Sequence, residues 1–162
     1  MAQLHDGRFT ADLGDRDEVV VLLIGMRFTR PWKVRRWAPV AAAMPRMLVE
    51  LQRQPELGML GAHTWFGRTI VVLQYWESFD ALHAYAHATD AAHLPAWRAF
   101  NRAVGASGDV GIWHETYAVP ADRVETVYGN MPRFGLAAAT GHVPATGRRR
   151  TARQRMQRDD DD

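Results

Sequence analysis

The sequence predicts an α+β protein with a ferredoxin-like βαββαβ order and a four-stranded antiparallel sheet. Two observations predict it. Strand-like runs lie at 18–28, 58–66, 69–76 and 109–119, and the two long intervals between them carry apolar residues at helical spacing. Two right-handed crossovers then place both helical layers on one face of the sheet.

The run from Glu18 to Phe28 is dense in Val, Leu and Ile, the pattern of a strand buried on both faces. Thr29 is placed to cap a following helix, with Pro31 near its first turn and Val34, Trp37, Val40 or Ala41, Met44, Met47 or Leu48, and Leu51 along one face. Pro39 and Pro45 fall inside that pattern and predict a kink or a split, because each removes a backbone donor. Gly67-Arg68 between the next two runs suits a type II′ hairpin. Ser78 is positioned to cap a short helix carrying Phe79, Leu82 and Tyr85, and Asp90 or Pro95 opens another with Trp97, Phe100 and Val104 inside. Pro120 ends the last strand. The boundaries expected are a flexible start at 1–15, a domain at 16–144 whose stretch 121–144 is an ordered arm, and a disordered Arg/Asp tail at 145–162 whose deletion leaves folding unchanged.

Composition removes several classes of chemistry. The chain of 162 residues fits one domain, and its lack of cysteine excludes disulfides, thiolate nucleophiles, iron-sulfur clusters and thiolate zinc sites. Six arginines and four aspartates sit in the last fifteen residues, leaving 14 basic and 14 acidic residues upstream, so the body presents no basic field for nucleic acid. No stretch is apolar enough over about 20 residues to span a bilayer as a helix. A cytoplasmic enzyme with a small-molecule substrate, and neither a nucleic-acid nor a membrane partner, is the expectation. The strand residues are too apolar to leave the sheet's second face wet, which predicts a homodimer formed through the sheets.

Histidine is the chemistry-bearing residue that remains. His5 and His142 fall in segments expected to be mobile, and His83 and His87 at i, i+4 lack the intervening glutamate of a metalloprotease helix. His93 opens the inner helix of the second crossover. His114 shares a strand face with Val110, Ile112 and Thr116, while Trp113, Glu115 and Tyr117 point the other way. His63 shares a face with Trp65. Arg27, Arg30, Lys33, Arg35 and Arg36 cluster where the first strand enters its helix.

The segments Gly25-Met-Arg-Phe-Thr-Arg-Pro-Trp-Lys33, Trp76-Glu-Ser-Phe79, His93-Leu-Pro-Ala-Trp-Arg-Ala-Phe-Asn-Arg102 and Gly111-Ile-Trp-His-Glu-Thr-Tyr117 resemble an uncharacterised bacterial family labelled monooxygenase, in the dimeric α/β-barrel superfamily. Over residues 76–119 the chain also resembles the haem-containing aldoxime dehydratases, through His93-Leu and the histidine of Trp113-His-Glu 21 residues later. That resemblance implies haem b as cofactor, with His93 as proximal iron ligand and His114 as distal acid/base. Trp97 and Ile112 would be apolar walls, and Arg27 and Arg30 cationic partners for the propionates. The reaction implied is a dehydration or an oxygenation of a small apolar substrate. Two alternatives remain open: a cofactor-independent monooxygenase of the antibiotic-biosynthesis type, with His114 or His63 as base, and a non-catalytic carrier of haem or another small ligand.

Overall fold

The computed structural model describes residues 3–88 and 107–156. Its strands are β1 (His5–Ala11), β2 (Glu18–Phe28), β3 (Met59–Trp65), β4 (Thr69–Trp76), β5 (Val110–Pro120), β6 (Tyr128–Met131) and β7 (His142–Pro144). The helices are α1 (Val34–Ala41), α2 (Ala43–Arg53), α3 (Phe79–His87), α4 (Gly135–Ala139) and α5 (Ala152–Met156). The main sheet has the order β3-β4-β2-β5 with every neighbour antiparallel, the arrangement a ferredoxin-like βαββαβ chain requires. The helix expected around Trp97, Phe100 and Val104 lies outside the described residues. No helix among the described residues is long and apolar enough to cross a membrane.

Alternation divides the sheet into two faces. On the helix face, Val20, Trp76 and Met59 pack with Leu51 of α2 and with Leu82 and Tyr85 of α3, and a second cluster joins Met26, Phe28 and Val110 to Trp37 of α1. Trp76 is fully buried, and its indole N–H donates to the side-chain oxygen of Gln74 at 3.0 Å, so the buried amide has a partner. The expected split helix is present. Pro45 falls in the first turn of α2, where no backbone N–H is needed, so the break settles at Ala42, just ahead of it. Ser78 caps α3 by accepting from the N–H of Ala81 at 3.1 Å. Thr29 does not cap a helix: its N–H and that of Arg30 bond the carbonyl of Asp109, which delays α1 to Val34.

Both chain ends depart from expectation. His5–Ala11, expected to be flexible, forms β1 and pairs with β6 and β7 in a three-stranded sheet. Phe9 stacks on Tyr128 with ring centroids 5.1 Å apart, a contact across 119 residues that local sequence does not announce. Residues 145–156, expected to be disordered, are docked: Ala145 is buried with its N–H on the carbonyl of Arg8, and the nearly buried Arg155 pairs with Glu125 while reaching the carbonyls of Arg149 and Arg150. An arginine holding two carbonyls and a carboxylate replaces the apolar content the tail lacks. Removing residues 145–162 is therefore expected to lower Tm by about 5 °C, since charge-assisted bonds of this kind contribute about 1.5–3 kcal/mol. An unchanged melting curve for the truncated chain would show that the docked tail adds no stability.

Candidate functional site

On β5, register sets His114 opposite Ile24 and Ile112 opposite Met26, with Val110 opposite Phe28. Since Met26, Phe28 and Val110 belong to a helix-face cluster, His114 and Ile112 lie on that face too. The imidazole stands over the strip between the two apolar clusters, where Leu22 and Ile24 are half-buried. His114 is exposed, and no polar group among the described residues is hydrogen-bonded to it. A histidine so placed, with apolar neighbours and free ring nitrogens among those residues, is equipped to exchange a proton with a ligand.

The other sequence candidates separate. His93 and Trp97 lie outside the described residues. Arg27 alternates onto the face opposite Met26 and Phe28, where it donates to the Thr69 hydroxyl at 3.0 Å, so it does not adjoin His114. Arg30 is tied to Asp109 at 2.7 Å. His63 and Trp65 fall on the far face with Leu73 and Val71, so the sheet separates His63 from His114. Trp113, Glu115 and Tyr117 also occupy the far face, where Tyr117 donates to Glu115 at 2.9 Å. Gly25 leaves room there for the Trp113 indole: a Cβ on Gly25 would stand 2.6 Å from its nitrogen and 2.7 Å from the Ile70 carbonyl oxygen. Among the described residues no group of three or more His, Asp or Glu side chains is placed to hold a metal ion.

Sequence reasoning missed Asp109. Its carboxylate is 2% exposed and accepts from Lys33 at 2.9 and 3.0 Å and from Arg30 at 2.7 Å, while its carbonyl takes the N–H groups of Thr29 and Arg30. It thereby clasps the end of β2 to the start of β5, the strand that carries His114. The bonds from Lys33, then from Arg30, hold the carboxyl below the usual carboxylate range. A carboxyl with a lowered folded-state pKa contributes stability that is present above the unfolded value, near 3.9, and lost as pH falls through the folded one. Replacing Asp109 by Asn is expected to lower Tm at pH 7, with the gap to the parent closing in acid. A gap that stays constant from pH 7 to pH 3 would refute the clasp's electrostatic origin.

Among the described residues the far face is covered only in part. α4 lies on β3 at Gly61, where a Cβ would stand 2.9 Å from that of Ala139. Beyond α4, Val21, Leu23, Val71 and Leu73 are half-buried, and Trp65 and Tyr117 are 42% and 50% exposed. Beside β3, between the end of α2 and α4, runs a cleft of about 450 Å³ whose lining includes His63, Tyr75, Arg133 and Phe134.

Comparison with known proteins places this geometry. The family described as Monooxygenase af470-like matches residues 19–136. Monooxygenase af470 of Aspergillus fumigatus is 26% identical over 151 residues, covering 80% of this chain and 53% of that protein, so the chain spans about half of that relative's length. The crystal structure of the aldoxime dehydratase OxdRE in complex with butyraldoxime superposes with a TM-score of 0.64 at 14% identity, over 86% of this chain and 42% of that one. SnoaB, a cofactor-independent oxygenase from Streptomyces nogalater, gives a TM-score of 0.43 at 18% identity, over 62% of this chain and 91% of that one.

Proposed function

Because the chain belongs to the Monooxygenase af470-like family, we propose that it is a haem-dependent enzyme acting on a small, largely apolar substrate, with His114 as its acid/base group and His93 as iron ligand. The observation that carries this reading is the position of His114: an exposed imidazole on the helix face, flanked by Ile112 and Ile24, with no polar partner among the described residues. Those residues fit the distal side of a haem pocket, which needs a proton-transferring side chain over apolar walls. Arg30 is engaged by Asp109, and Arg27 is left out by its face.

Bound haem would supply an iron centre that holds and polarises the substrate's heteroatom. The protein's part is proton handling. With an aldoxime, His114 as imidazolium gives a proton to the departing hydroxyl, and as neutral imidazole takes the proton from the aldoxime carbon. The N–O and C–H bonds break, a carbon–nitrogen triple bond forms and water leaves, with no external oxidant or reductant. Superposition on an aldoxime dehydratase supports the fold's capacity for such a site. A second copy of the chain packed against the half-buried Leu23 and Leu73 completes the assembly we propose, a homodimer.

The test is the absorption spectrum of protein supplied with haem, for the parent, His93→Ala and His114→Ala. A Soret band lost with His93→Ala and kept with His114→Ala is expected. A folded parent that takes up no haem overturns the reading in favour of the cofactor-independent alternative, in which His114 acts as base on an acidic substrate.

A further inference from the structure

We propose that the cleft along β3 is a second ligand site, at the opposite edge of the sheet from the strand that carries His114, and that it takes a planar aromatic carboxylate. Three observations converge on that class of ligand. Rings and small apolar groups line it: His63, Tyr75 and Phe134 stand among Gly61, Ala138 and Ala139, and His63 lies edge-on to Phe134 at 4.7 Å. Its charge is positive: Arg133 lines the cleft and lies within ion-pair distance of no carboxylate among the described residues, and the charges acting on neighbouring His142 are those of His5 and Arg133. A guanidinium presents paired donors that match a carboxylate's two oxygens.

Its size is adequate as well, since about 450 Å³ falls within the range of small-molecule pockets. The site is held in place by the approach of α4 to Gly61, with Ala139 against the strand. Burial pushes the Tyr75 phenol up, so it stays a neutral polar group in the cleft. None of these residues adjoins His114, and this proposal stands independently of haem binding.

The probe is 1-naphthoate, titrated calorimetrically into the full chain, with 1-naphthamide as the uncharged shape control. Saturable one-site binding is expected, weakened about tenfold or more in Arg133→Gln and for the amide, as loss of a charge-assisted bond predicts. His114→Ala should bind as the parent does. Circular dichroism and the melting curve check that Arg133→Gln remains folded. Absence of saturable binding, equal affinity for acid and amide, unchanged affinity in Arg133→Gln, or loss of binding in His114→Ala would each overturn the proposal.

Discussion

Trp76→Ala is expected to destabilise the domain by about 3–5 kcal/mol, the range for emptying a large aromatic site in a packed core. For a chain of this size that lowers Tm by about 10 °C or more. Two effects add. The indole is fully buried between the β4 register partners Val20 and Met59 and lies 5.6 Å from the Tyr85 ring, so truncation leaves a void lined by α2, α3 and the sheet. Gln74, 5% exposed, also loses its indole donor, and an unpaired buried amide carries its own penalty. Trp76→Phe keeps most of the volume and removes only the donor, so chemical denaturation of the two variants separates the terms. A cost below about 1 kcal/mol for the alanine variant would mean the cluster collapses around the gap.

Under the proposed haem-dependent dehydration, His114→Ala is expected to reduce kcat for a small aldoxime by about 10²–10⁴, the usual contribution of a positioned general acid/base, with the haem absorption retained. The side chain is exposed and outside both apolar clusters, so the substitution should leave the melting temperature nearly unchanged. That separation of effects distinguishes proton transfer from support of the fold. Glu115→Gln is the matched control: the neighbouring side chain faces the opposite side and bonds Tyr117, so turnover should be unaffected. Equal losses at positions 114 and 115 would remove His114 from the chemistry.

Much of this architecture is legible in residue order. The apolar run of β2, the Ser78 cap and the two-residue alternation along β5 are local properties, and each is enough to place its element or the face of His114; the expected type II′ turn at Gly67-Arg68 is instead a three-residue connection, 66–68, in which Gly67 keeps a negative φ. Even the prolines announce the split between α1 and α2, because a missing N–H is a feature of the residue itself. What only the tertiary structure decided depends on contacts between distant segments. β1 and the tail read as mobile because neither has amphipathic periodicity; β1 and residues 145–156 are ordered by Phe9 on Tyr128, Ala145 on Arg8 and Arg155 on Glu125. Asp109 reads as the first residue of a strand until Arg30 and Lys33, more than seventy positions earlier, close on its carboxylate. The clustered cations at the end of β2 likewise looked alike in sequence, and strand alternation then sent Arg27 to one face while Asp109 captured Arg30. His63 and Arg133, seventy residues apart, meet at one cleft because α4 closes on the glycine at position 61. Strand type, caps and breaks follow from each residue's own geometry, whereas partners and pockets follow from which distant side chains the packed sheet brings within reach.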